Sequence, residues 1–259
     1  MSTSETLAKF IADAPPGEVK EVRADIEALV EGNVQLVKGL DDPMAKYVGD
    51  KCTVVRLPDG QTSVVSPLNR LDATTFYANG KAYKYENGRV SEADSSVSVP
   101  SAGDHGALKQ GVARYVEDHY PSNSGVDVFP QESGGVGIVI VDTKFSPKNF
   151  WNGQWTSQYV VKNGKLEGDI SIDVHYYEDG NVRLKCDKHV SESVGESAQN
   201  ICKTIADLEQ AYQLEVNKTF IGLNAGPFKS LRRQLPVNRS KMDWDKFGNY
   251  RLGKTIGGE

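Results

Sequence analysis

Apolar residues recur along this chain first with a helical period and then, from about residue 51, with a period of two. Thr6 to Asp13 predicts a short helix, stopped by Pro15-Pro16-Gly17 because proline has no N–H to donate into a continuing helix. Val19, Val22, Ile26, Leu29, Val30 and Val37 share one face at 3.6-residue spacing, predicting a second helix that Gly39 ends. Asp42-Pro43 reads as an N-cap with proline at the first helical position, opening a third helix. Three short antiparallel helices bury one stripe each, so they must pack on each other and on something further.

From Lys51 the pattern is that of strands. Thr53–Leu57 and Thr62–Val65 flank Pro58-Asp59-Gly60, and Tyr83-Lys84-Tyr85 precedes Asn87-Gly88, both tight-turn signals. Residues 91–106, rich in Ser, Gly, Asp and Pro, predict a loop, and Leu108, Val112, Tyr115, Val116 and His119 predict a helix over 108–120. Five strand-like runs follow at about 125–130, 135–142, 154–162, 165–177 and 181–187, with Asn163-Gly164 and Asp179-Gly180 as hairpin turns. In the fourth run Leu166, Ile170, Ile172, Val174 and Tyr176 alternate with Glu167, Asp169, Ser171, Asp173 and His175, which predicts one buried and one wet face. Val136–Val141 is apolar throughout, as a strand covered on both sides requires. Ser193-Val194-Gly195-Glu196 is a capping-box pattern opening a long helix, with Val194, Ile201, Ile205, Leu208 and Tyr212 as a near-heptad stripe across the sheet. The fold class is therefore α+β: an N-terminal three-helix stalk, a five-stranded antiparallel meander crossed by one long helix, and a C-terminal arm. The other sheet face and the sheet edges still need cover, which points to a partner chain.

Charge changes this picture most at the C-terminus. Between Lys229 and Lys254 eight basic residues face two acidic ones, a net of +6; the whole chain is −5, so the remainder carries −11. A basic, partly apolar arm on an acidic body suggests a hook for an acidic surface, whether protein, nucleic acid or membrane. No apolar run approaches the roughly 18 residues of a membrane span, and Met1 to Glu18 has none that reads as a signal peptide. Cys52, Cys186 and Cys202 are widely spaced and odd in number, which fits reduced, buried thiols and leaves the sequons at Asn217 and Asn238 without meaning.

Candidate chemistry is sparse. Gly248 to Thr255 satisfies G-x-x-x-x-G-K-[ST], but a phosphate loop needs a strand before it and a helix N-terminus behind it. The residues before it look helical, and only four follow Thr255, so the match is coincidence. The four histidines (His105, His119, His175, His189) lack metal-ligand spacing, and His175 on a strand's polar face predicts an exposed or hydrogen-bonded structural role. No nucleophile elbow appears. No catalysis, cofactor or metal is expected. The aromatic segment Phe145 to Trp155, written around Asn152-Gly153, predicts a hairpin whose rings fill the sheet–helix core.

Five blocks of this sequence resemble the α subunit of the heterodimeric F-actin capping protein. They are Ala14 to Glu18, Tyr115 to Tyr120 (YVEDHY), Pro147 to Trp155 (PKNFWNGQW), Val174 to Leu184 (VHYYEDGNVRL) and Phe228 to Trp244 (FKSLRRQLPVNRSKMDW). The blocks occur in the family's order across nearly the full length. The resemblance implies a helical stalk (1–50), a β-turn-rich connection (51–107), a helix with the central sheet (108–192), a long helix (193–226) and an actin-binding tentacle (227–259). It implies an obligate β-subunit partner whose sheet joins this one about a pseudo-twofold axis. It also implies Ca2+-independent binding to filament barbed ends in the cytoplasmic, cortical actin cytoskeleton. Basic tentacle residues are the family's main actin contacts, and they fall here on Lys229, Arg233 and Arg239. Phosphoinositides and capping regulators are compatible partners; nucleic acid is not expected. Two departures stand out: Gly226-Pro227 should kink the chain ahead of the tentacle, and residues 60–105 match only loosely.

In the arm, Phe228, Leu231 and Leu235 share one helical side while Lys229 and Arg233 share another, Pro236 ends that piece, and Ser240 can cap a second helix carrying Met242, Trp244 and Phe247. Exposed ion pairs contribute only about 0.2–1 kcal/mol each, against the roughly 12 kcal/mol of a nanomolar complex. The cations would therefore speed and orient encounter, with apolar contacts setting residence time. The alternative function is a basic-tailed binder of anionic lipid or nucleic acid.

Overall fold

Four helices open the chain: α1 (Thr3–Ala12), α2 (Val19–Leu29), α3 (Val34–Lys38) and α4 (Asp41–Asp50). In this computed structural model, residues 2–225 are described apart from 87, 95, 101, 102, 104, 121, 122, 132, 133 and 179, and residues 224 and 225 without their side chains. The second predicted helix is two, because Glu31 and Gly32 both take positive φ (50° and 72°). Asn33 then caps α3 by accepting hydrogen bonds from the Gln35 and Leu36 amides. Likewise α4 begins two residues earlier than predicted, with Leu40 at the N-cap and Pro43 inside the first turn. That turn leaves its N–H groups without intrahelical partners, so the missing proline donor costs nothing there. Leu7, Ile11, Ile26, Leu40 and Tyr47 form the core shared by these helices.

A hairpin of β1 (Thr53–Arg56) and β2 (Thr62–Val65) turns through Pro58-Asp59-Gly60 as predicted, with Gly60 at φ 86°. A three-stranded sheet follows, of β3 (Thr75–Ala78), β4 (Lys81–Glu86) and β5 (Arg89–Glu92). β3 is not among the predicted strands; the signal that marks it is Asn79-Gly80, both at positive φ. Helix α5 (Gly106–His119) leads into the main sheet of β6 (Asn123–Pro130), β7 (Val136–Ser146), β8 (Trp151–Lys162), β9 (Lys165–Tyr176) and β10 (Val182–Ser193). These five pair in sequential antiparallel order, and α6 (Ala198–Ala225) follows. The α+β meander with its long helix is as predicted. The start of α6 is not: Ser193 is still in the ladder opposite Lys165, and it is the Ser197 hydroxyl that accepts from the Asn200 N–H at 3.2 Å.

β7 is buried from Val136 through Val141, as its unbroken apolar run requires. Val139 and Val141 pack with Cys52 of the turn before β1, with Val64 and Tyr77 from the smaller sheets, and with Phe129 of β6. The alternate residues Ile138 and Ile140 point the other way, in rows with Tyr159 and Ile170. On that side Leu108 of α5 and Ile201 of α6 line a cleft with Val136 and Val161. One buried carboxylate joins three elements: Asp127 on β6, 1 % exposed, accepts from Ser63 of β2 at 2.7 Å and pairs with Lys109 of α5 at 2.8 Å. The chain forms two compact units, Met1–Asp207 and Leu208–Glu259. In the second, the continuing α6 exposes Leu214, Phe220 and Ile221.

Gly168 of β9 has no room for a side chain: an added Cβ would lie 2.0 Å from the Gln158 carbonyl oxygen. Gly168→Ala should therefore separate β8 from β9 and cost about 2 kcal/mol or more, read as a lower urea midpoint. Gly222→Ala, which faces open space on α6, should stabilise by about 0.5–1 kcal/mol in the same assay.

Candidate functional site

The polar face of β9 is where the structure departs most from the period-two expectation. Its first half obeys: Leu166 and Ile170 are buried, Glu167 and Asp169 exposed. In its second half Asp173 and His175 are buried at 5 % and 7 %, while Tyr176 is exposed. The N-terminal helices cover this end of the face, and each buried polar group is met by a partner from them or from β10.

Asp173 is the centre of the arrangement. Arg183, across the ladder on β10, reaches it bidentately, Nε to Oδ1 at 2.8 Å and Nη2 to Oδ2 at 2.8 Å. Lys51, just past α4, adds Nζ to Oδ2 at 2.7 Å. The same guanidinium donates to the carbonyls of Asp13 and, at 3.1 Å, Ala14 in the turn between α1 and α2. Beside it Glu18 accepts from Asn152 Nδ2 at 2.8 Å and from His175 Nδ1 at 2.7 Å, and His175 Nε2 lies 2.9 Å from Asn181 Oδ1. Tyr47 donates its hydroxyl to the Pro15 carbonyl at 3.0 Å, and Gln154 donates to the Lys51 carbonyl at 2.6 Å. Burial by itself would raise the Asp173 carboxyl, but the hydrogen bonds and charges of Arg183 and Lys51 outweigh it and hold it below the usual carboxylate range. The hydrogen bond to Asp173 in turn raises Arg183, and burial pushes the Tyr47 phenol well above its ordinary value.

The aromatic segment beside this clasp does not fill the sheet–helix core as expected. Asn152-Gly153 is not a turn; both residues lie inside β8, opposite Phe145 and Lys144. The chain reverses instead through a 3-10 turn at Pro147–Asn149, with Phe150 left-handed at φ 57°. That shift leaves Phe145 and Phe150 exposed, with Phe150 edge-on to Tyr177. Trp155 lies on the α5 side: its ring centroid is 6.2 Å from that of Tyr120, and its Nε1 donates to Ser157 Oγ at 2.8 Å.

The predicted contact residues Lys229, Arg233 and Arg239 lie outside the described residues, as do Gly226-Pro227, the helices expected in the arm and Gly248–Thr255. What the structure does bring together is three of the five sequence blocks: Ala14–Glu18, Pro147–Trp155 and Val174–Leu184 supply Glu18, Asn152, His175 with its partner Asn181, and Arg183 to one clasp. Sequence reasoning missed this site. Its signal was Arg183 in register two rows from Asp173's strand partner, together with charged residues at the end of an otherwise alternating strand. Among the described residues no three His, Cys, Asp or Glu side chains form a metal-holding group. None of the described helices is long and apolar enough to cross a membrane. The arrangement can fasten surfaces together; it presents no nucleophile with a base beside it.

Asp173→Asn should strand Arg183 and Lys51 without their counter-charge and cost roughly 3 kcal/mol at neutral pH. Because the folded carboxyl binds its proton less readily than the unfolded one, its contribution is complete above about pH 4 and lost as pH falls further. Urea denaturation at successive pH values should therefore show a shallower acid limb for the variant than for the parent chain.

The family described as F-actin capping protein alpha subunit matches residues 7–255. The F-actin-capping protein subunit alpha of Yarrowia lipolytica is 44 % identical over 98 % of this chain and 96 % of its own length. That of Chaetomium thermophilum is 40 % identical over 99 % and 97 %. A solved structure, the homodimeric actin capping protein alpha subunit from Plasmodium berghei, shares the fold at a TM-score of 0.66 and 16 % identity, over 92 % of this chain and 98 % of that one. Matched by the family over nearly its whole length, and by relatives well above 30 % identity, the chain belongs to the F-actin capping protein alpha subunit family.

Proposed function

We propose that this chain is the α subunit of a heterodimeric cap that occupies the barbed end of the actin filament and blocks subunit addition and loss by steric exclusion, without Ca2+. The observation that carries the reading is family membership across the full length, including the basic C-terminal block. The proposed contacts are Lys229, Arg233 and Arg239 within an arm running from about residue 227, with cations guiding encounter and apolar residues holding the complex. No bond is made or broken in this function. Its place would be the cortical actin of the cytoplasm.

Two features support a β-subunit partner. β10 pairs only with β9 among the described residues, so its outer side is a sheet edge whose outward-facing backbone groups a further strand could pair with. The second half of α6 exposes Leu214, Phe220 and Ile221, apolar surface that only packing against another element would take out of water. A partner sheet continuing from β10 would satisfy the first and a partner surface over α6 the second. The helical region of residues 1–50 would then be this subunit's share of a stalk.

The test is co-expression with a β subunit, followed by pyrene-actin elongation from filament seeds with EGTA present. The parent dimer should halt barbed-end growth. Lys229→Ala, Arg233→Ala and Arg239→Ala together should leave the dimer intact and raise the half-inhibiting concentration roughly thirtyfold, the equivalent of about 2 kcal/mol. Unhindered growth with the parent dimer, alongside co-sedimentation with acidic liposomes or DNA, would instead favour a basic-tailed binder of those anions.

A further inference from the structure

We propose that the cleft between the N-terminal helices, the β1–β2 hairpin and the β6–β7 side of the main sheet is a binding site for a small amphipathic anion, an apolar body ending in a carboxylate or sulfonate. The cleft encloses about 530 Å³, inside the range of small-molecule sites. Val19, Met44, Tyr47, Val48, Val54 and Val141 form its walls. Cys52 backs the lining at 0 % exposure, and burial pushes its thiol up to about 12, so no thiolate charge stands behind these walls.

Charge selects the ligand's head group. Among the described residues no Asp or Glu lines the cleft, and its cations are Lys20 and Lys51. Lys51 is committed to Asp173. Lys20, exposed at the second position of α2, has no ion-pair partner among the described residues, whereas its neighbour Arg23 is held by Glu27 and Asp41. A hollow that shares Lys20, Met44 and Tyr85 continues on the far side, but it carries Asp41, Asp42 and Glu86, which repel an anion. The anionic end is thus confined to the Lys20 side, with the apolar body directed inward. Phe145 accounts for itself in this arrangement: its ring lies against Gly17, where an added Cβ would stand 3.0 Å away, and its exposed edge forms the lip. Gly17, at φ 78°, is the residue that lets the α1–α2 turn come that close.

The inference does not depend on actin binding and is tested apart from it. The full chain, co-expressed with its partner subunit, is titrated with 8-anilinonaphthalene-1-sulfonate, and the bound dye is competed with decanoate and, separately, with decylammonium. One saturable site per chain, displaced by decanoate and not by decylammonium, is the expected result. Lys20→Glu should weaken both anions about tenfold with unchanged thermal unfolding, since Glu in a helix's first turn is itself favourable. Absence of a saturable site, equal displacement by decylammonium, or undiminished binding by Lys20→Glu would each overturn the proposal. So would dye binding that Val19→Phe, which narrows the cleft, leaves unaltered in a folded protein. Capture of an apolar peptide side chain instead of an anion would show as competition independent of charge, and would overturn it as well.

Discussion

A carboxylate taken out of water must be met by cations and donors or it will not stay charged, and Asp173 imposes that condition on the body of this protein. Its oxygens are filled by Arg183 from the edge strand and Lys51 from the end of the helical region. Arg183 has donors to spare, and these bind the Asp13 and Ala14 carbonyls, so the turn between α1 and α2 is tied to the same carboxylate. The helices are therefore not free to swing on the short connection at Cys52. They are fastened to β9 and β10 by bonds whose rupture would leave buried charge unpaired. Glu18, with Asn152 and His175, repeats the device one step along the turn.

This fastening has consequences for a subunit of a cap. Arg183 spends its side chain on the inner contacts of β10 while that strand's outer backbone edge remains unpaired among the described residues. The strand proposed to meet the β subunit is thus held in place before assembly, which lowers the ordering entropy that pairing would otherwise cost. The β1–β2 hairpin and α5 are tied to β6 in a similar manner, Ser63 and Lys109 both meeting the Asp127 carboxylate. An acidic body carrying a basic arm suits the proposed encounter, guided by electrostatics and completed by apolar contact.

Much of the fold was legible because its signals are local. Asn163-Gly164 and the Pro58-Asp59-Gly60 turn act through φ > 0 at single residues, and the apolar run of β7 declares burial on both faces by itself. Where reading failed, the local signal was real but overruled. Asn152-Gly153 has hairpin chemistry, yet Pro147 and the left-handed Phe150 turn the chain first, and the pair is absorbed into β8. Ser193 begins a capping pattern, yet the ladder with Lys165 claims it and Ser197 caps α6 instead. The stripe Val19 to Val37 has a helical period, yet Glu31-Gly32 divides it.

Alternation, turn chemistry and charge are carried by neighbouring residues, so the sequence alone determined an antiparallel meander with a long helix, a basic tail on an acidic body, and the blocks that resemble the capping α subunits. Which charged residues lie inside was not settled by neighbours. Asp173 and His175 look like the wet side of a strand, and become buried only because Lys51, Glu18 and the turn at Ala14, more than a hundred residues away, come to rest on them. Burial of a polar group depends on what covers it, and covering is a property of the folded chain in three dimensions.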